Sequence, residues 1–214
     1  MKKILLVGSN SSIAKSLILE ARYDFIELSR SKSSLFNILD KSTYPEIDLL
    51  DGIVYFPGTI NLKPFSNFKE KDFINDYEIN VLGLINTLQF YYKSLNRDSS
   101  IVTLSSIAAN FGMPYHTSIS MCKSSVEALT KSLAAEWAPK IRLNCIAPSL
   151  VSTELSARLI NSDSKKEAIA KKHPLNKIGQ SHDISHVISF LLSEESKWIT
   201  GQIIRVDGGL STIR

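Results

Sequence analysis

The sequence is poor in the features that define several large classes of protein. It has two cysteines, Cys122 and Cys145. They are too few for a disulfide framework and not spaced as a zinc site, so a reducing compartment is expected and both thiols read as small core residues. No run of eighteen apolar residues occurs, and the first apolar stretch, Ile4 to Val7, stops at Gly8-Ser9-Asn10. That stretch is too short for a membrane-spanning helix or a secretory h-region, so a cytoplasmic protein with no membrane partner is expected. Internal repeats and low-complexity linkers are absent. Charge bias is slight: the net charge is +4, and the lysines are scattered except at Lys165, Lys166, Lys171 and Lys172. That cluster reads as a solvated helix face, or as an attractor of an anionic ligand or acidic carrier protein; no nucleic-acid partner is expected.

What is present is enough for one core. A chain of 214 residues with 43% hydrophobic and 21% charged side chains fits a single domain over 1–214. Short apolar runs alternate with longer stretches of helical period, the pattern of repeated strand–helix–strand units and so of a parallel sheet. Strands are expected near 3–7, 24–28, 35–38, 52–56, 100–104, 141–146 and 202–206. Helices are expected near 12–21, 68–95, 118–138, 153–161, 164–172 and 182–193. Pro57, Pro114, Pro139, Pro148 and Pro174 fall between these elements, where proline disrupts least. Only four residues separate the second strand, ending at Arg30, from the third near Leu35, so one crossover is expected to be cut to a loop. The fold class is therefore α/β, a Rossmann-type doubly wound parallel sheet with one shortened crossover.

The first strand runs into Gly8-Ser9-Asn10-Ser11-Ser12-Ile13-Ala14 and then a helix. Such a turn aims backbone N–H groups and a helix N-terminus at a pyrophosphate. Of a glycine-rich loop only Gly8 remains, and an ordinary serine-capped turn is the alternative reading. The second strand ends Glu27-Leu28-Ser29-Arg30, without a carboxylate at the position that would accept adenine-ribose hydroxyls. Ser29 and Arg30 offer a hydroxyl and a planar guanidinium instead, which suit the 2′-phosphate of NADP. NADP(H) is thus expected over NAD(H).

Further along, Asp51 to Gly58, Asn80-Val81-Leu82-Gly83, Ile101 to Ser106, Ile141 to Pro148, His173-Pro174-Leu175, Asp183-Ile184, Thr200-Gly201 and Val206-Asp207-Gly208-Gly209 stand in order. Together they resemble the short-chain dehydrogenase/reductase family almost end to end. The resemblance implies Ser106, Lys123 and Asn80 in a catalytic site. It implies cofactor contacts from Gly8, Ser9, Asn10, Ser11, Ser12, Ile13, Ser29, Arg30, Asp40, Pro57, Gly58, Lys123, Pro148 and Thr153. A mobile lid over 149–173 and a homodimer or homotetramer, joined through the long helix from Ser118, follow from the same resemblance.

One position departs from the family. Lys123 lies seventeen residues after Ser106 as expected, but position 119, four before it, carries Ile rather than Tyr. In the family that Tyr shares a helix face with the Lys, which lowers its pKa, and it exchanges a proton with the substrate oxygen. Ile119 can do neither. Candidate substitutes are His116, seven before Lys123, its neighbour Tyr115, and Tyr55 at the end of a strand. The leading expectation is an NADP(H)-dependent oxidoreductase acting on a small-molecule or carrier-linked carbonyl. A catalytically silent dinucleotide binder and an enoyl-thioester reductase using His116 are the alternatives. His182 and His186 have a metal-compatible spacing but lack a third ligand, so no metal is expected.

Overall fold

The computed structural model describes residues 1–213. Six strands form one parallel sheet in the order β2-β1-β3-β4-β5-β6, with β1 Lys3–Val7, β2 Asp24–Leu28, β3 Leu50–Tyr55, β4 Leu95–Leu104, β5 Ile141–Pro148 and β6 Ile203–Val206. The chain leaves β1 toward β2 on one side and returns to β3 on the other. The C-terminal ends of β1 and β3 therefore flank the switch point, where ligands of open α/β sheets bind.

Alternation along the strands splits the core into two layers. Leu5, Val7, Ile53, Tyr55 and Ile101 face α3 (Gly83–Tyr91) and α4 (Thr117–Trp137). Ile4, Leu6, Val54 and Val102 face α1 (Ser12–Leu19) and α6 (Ser181–Leu192). Both faces of the central strands are buried, which is why they read as near-continuous apolar runs. Two further helices, α2 (Glu70–Tyr77) and α5 (Asp163–Ala170), complete the set. None of the described helices is long and apolar enough to cross a membrane.

Three expectations need correction. The strand expected at 35–38 does not form, so the crossover is not merely short: the strand it would lead to is missing and β2 is the sheet edge. Turn hydrogen bonds from Phe36 N to Ser33 O and from Asp40 N to Asn37 O use the backbone groups that a ladder would need. Phe36 and Tyr44 instead plug the core beside β2, their rings 5.1 Å apart, with Tyr44 5.1 Å from Phe90 and 5.9 Å from Tyr91. Second, the helix expected over 68–95 is interrupted by a π turn at Glu78–Leu82, and β4 begins at Leu95. Third, 153–161 is not an α-helix. It holds turns and a short 3₁₀ segment at Ala157–Leu159, because Ser156 Oγ accepts from Thr153 N at 3.0 Å and donates to Val151 O at 2.5 Å.

Candidate active site

The turn after β1 is held in place by backbone bonds and by a side-chain cap. Gly8 has φ +79°, a left-handed conformation natural to glycine, and a Cβ there would lie 2.9 Å from Pro57 Cδ. The turn after β1 thus presses directly on the end of β3. Gly8 N donates to Leu28 O at 2.7 Å, which ties the end of β2 to the same turn. Ser11 caps α1 by accepting from Ala14 N at 3.1 Å. Asn10 is exposed, Ser12 and Ile13 sit half-buried in the first turn of α1, and Ser9 is buried with no partner for its hydroxyl. Ser29 is buried, with its Oγ 2.9 Å from Ser31 Oγ, while Arg30 is exposed. Gly8 to Ile13, Ser29 and Arg30 are therefore brought together at one end of the crevice.

Asp40 has a different job. Its carboxylate caps the 3₁₀ turn Lys41–Thr43, accepting from Ser42 N at 3.0 Å and Ser42 Oγ at 2.7 Å, and these bonds lower its pKa. In the structure it therefore holds the shape of its own loop.

The other end of the crevice is a polar cluster beneath Gly58. Lys123 is buried on α4, and its ammonium donates to Leu104 O at 2.9 Å. Burial penalises the charge and lowers its pKa to about 8. Asn80 is buried in the π turn. Its Nδ2 donates to Thr59 Oγ1 at 2.9 Å and to Asp76 O at 2.8 Å, while its Oδ1 has no partner. A Cβ on Gly58 would lie 3.3 Å from Asn80 Oδ1 and 3.5 Å from Lys123 Nζ. One acceptor and a cation with two unused N–H donors thus face a single cradle that glycine keeps open.

The π turn itself has a support. The buried Tyr55 hydroxyl donates to the Ile79 carbonyl within it at 2.7 Å. A Cβ on Gly83 would collide with that hydroxyl. Tyr55 is accordingly a brace for Asn80 and does not reach into the crevice.

Ser106 is half-buried where β4 ends, and its Oγ accepts from Ala108 N at 3.2 Å. The turn that carries it is clamped by Glu127, a buried carboxylate one helical turn beyond Lys123. Ser105 Oγ donates to Glu127 Oε1 at 2.7 Å, and Asn110 Nδ2 donates to Oε2 at 2.5 Å. Pro148 ends β5, and Thr153 follows in the segment joined to α1 through Lys15–Glu154 at 3.5 Å.

Ile119 is buried in the position expected for the tyrosine. Tyr115 is exposed and has φ +68°, a strained conformation for a bulky side chain. His116 precedes α4, with Nδ1 2.7 Å from Pro114 O. A carbonyl only accepts, so Nδ1 carries the hydrogen and Nε2 is left free. Sequence reasoning overlooked Thr59, Asp76, Ser118 and Glu127. Their partners lie 17 to 42 residues away along the chain, and no local pattern marks them.

A family model described as enoyl-(acyl carrier protein) reductase matches residues 32–211. The chain belongs to the short-chain dehydrogenase/reductase family. It is 34% identical over 145 residues to the 3-oxoacyl-(acyl-carrier-protein) reductase FabG of Thermotoga maritima, an alignment covering 66% of this chain and 58% of that protein. With the FabG of Rickettsia felis it shares 29% identity, over 97% of this chain and 86% of the other. Among solved structures, ElxO with NADP bound superposes with a TM-score of 0.86 at 26% identity, covering 98% of this chain and 99% of that one.

Proposed function

We propose that this protein is an NADP(H)-dependent oxidoreductase acting on a carbonyl or alcohol. The observation that carries the reading is the open cradle at Gly58, where Asn80 Oδ1 lacks a partner and Lys123 has donors to spare. A buried acceptor and a buried ammonium left partly unsatisfied call for a hydroxyl-bearing ligand, and a nicotinamide ribose meets that need. The orphaned Ser9 hydroxyl and the Gly8 turn answer in the same way to a pyrophosphate. Arg30, with no carboxylate at the end of β2, favours the 2′-phosphate, in keeping with the NADP carried by ElxO. When bound, the cofactor supplies or removes a hydride. Ser106 is positioned to hold the substrate oxygen, Lys123 to hold the ribose and Pro57, Gly58, Pro148 and Thr153 to line the crevice. The FabG relatives, which are named for 3-oxoacyl carriers, make a carrier-linked 3-oxoacyl group the first substrate class to try.

A second reading, a silent dinucleotide binder, rests on Ile119, which fills the acid's position with buried hydrocarbon. A third, enoyl-thioester reduction, rests on the free Nε2 of His116. Fluorescence titration with NADPH and NADH, followed by assay with acetoacetyl and crotonyl thioesters, separates the three. Keto reduction supports the leading reading, enoyl reduction the third and saturable binding without turnover the second; no binding defeats all of them.

A further inference from the structure

Three side chains from distant parts of the chain converge behind Asn80. Thr59 follows Gly58, Asp76 lies in the last turn of α2, and Ser118 lies in the first turn of α4. Asp76 is fully buried, and each of its carboxylate oxygens accepts one hydroxyl: Thr59 Oγ1 donates to Oδ1 at 2.7 Å, and Ser118 Oγ donates to Oδ2 at 2.6 Å. Thr59 Oγ1 in turn accepts from Asn80 Nδ2 at 2.9 Å. Burying a carboxylate is costly without a cation beside it, yet Asp76 takes part in none of the ion pairs of the described residues. Its field reaches the neighbouring Cys122 thiol, which burial first and then Asp76 push up to about 11. Thr59 is half-buried beside the cradle, and its hydroxyl has one lone pair still uncommitted.

We propose that Thr59 and Asp76 move the proton that Ile119 cannot, with the Thr59 hydroxyl touching the substrate oxygen and Asp76 acting behind it. The inference rests on the oxidoreductase reading above. In the oxidation direction the substrate O–H bond breaks and its proton passes to Thr59 Oγ1, while the Thr59 hydrogen passes along the existing 2.7 Å bond to Asp76 Oδ1. The carbinol C–H bond breaks as its hydride goes to the oxidised nicotinamide, and the C=O bond is completed. Reduction runs the same steps backwards: the reduced nicotinamide gives the hydride, protonated Asp76 reprotonates Thr59, and Thr59 protonates the alkoxide.

The test uses the full chain with NADPH and acetoacetyl-coenzyme A, read as kcat, KM, NADPH dissociation constant and melting temperature. Thr59→Val is expected to lower kcat about 10²-fold or more, the effect of losing a positioned acid, while the NADPH dissociation constant stays within about twofold. Thr59→Ser restores the rate. Asp76→Asn, which still accepts from Ser118 but takes no proton, reproduces the loss. A Thr59→Val protein with native kcat overturns the proposal, and so does a rate loss that follows NADPH affinity and melting temperature and is not rescued by serine. A native protein that binds NADPH and reduces nothing fails at the first step, and both the oxidoreductase reading and this one fall.

Discussion

The β2 side of the crevice and its β4 side are held together by different means. Beside β2, a strand is missing and an aromatic plug of Phe36, Tyr44, Phe90 and Tyr91 closes the core. The charged groups there, Arg30 and Asp40, are exposed. Beside β4, four ionisable or amide side chains are buried in two sets of hydrogen bonds, Asp76 and Asn80 joined through Thr59, and Lys123 and Glu127 joined through Ser105. An edge can lose a strand if apolar side chains reseal it, because little else depends on the backbone there. A buried polar network tolerates no such shortcut, since each unsatisfied member is costly.

That contrast can be broken at several points. If the plug substitutes for the lost strand as core, Tyr44→Ala costs about 3–5 kcal/mol in urea unfolding, the usual range for deleting a buried aromatic side chain. A loss below about 1 kcal/mol would mean that the edge needs no seal.

The β4 side should reveal its buried cation through pH. Burial lowers the Lys123 pKa from 10.5 to about 8, so below pH 8 the folded chain carries a charge that water would rather keep. Between pH 8 and 10.5 the unfolded chain binds the extra proton, and the contribution of this group to stability rises with pH. Lys123→Met is therefore expected to exceed native stability at pH 7 by up to about 3 kcal/mol. The gap closes as pH rises above 8. Cys122 and Cys145, pushed up to about 11 by burial, lower stability above pH 9 in both proteins, and their coupling to Lys123 makes pH 7 to 9 the range in which the difference reports on Lys123 itself. A gap that does not change over that range would mean that Lys123 titrates alike in the folded and unfolded chain, so that burial does not penalise its charge.

Smaller effects sharpen the comparison. Arg30→Ala should weaken NADPH binding about tenfold, or roughly 1.4 kcal/mol, and leave NADH untouched, as expected of one exposed contact to a 2′-phosphate. Equal loss for both cofactors would remove Arg30 from that role. Tyr55→Phe takes the donor from Ile79 O and should cost about 1 kcal/mol. Because Tyr55 braces the π turn, the same variant is expected to change the amide signals of Asn80 in a nitrogen–proton NMR spectrum.

Much of this architecture was legible in the residues. β1, α1, α4 and β5 follow their apolar periods closely, since both faces of a central strand and the inner face of a long helix must be apolar. The spacing from Ser106 to Lys123 pointed to a site only through the family resemblance, not through any apolar period. The segment at 35–38 misled because a short apolar run, Leu35, Phe36 and Ile38, suits a loop that plugs a core as well as a strand. The turn bonds at Phe36 and Asp40 decide between them. At 153–161, Thr153 and Ser156 turned their hydroxyls on the backbone, and propensity lost to that competition. The Asp76 network was out of reach because Thr59, Asp76 and Ser118 meet only through the tertiary fold.

The account stands on the cradle at Gly58, and Gly58→Ala tests it most directly. The added methyl would sit 3.3 Å from Asn80 Oδ1 and 3.5 Å from Lys123 Nζ, filling the space without striking the backbone of another element. Fluorescence titration with NADPH should saturate for the native protein and show at least about tenfold weaker binding for Gly58→Ala, a change of roughly 1.4 kcal/mol, at an unchanged melting temperature. Equal affinity in the two proteins, or no saturation in the native one, would contradict the account.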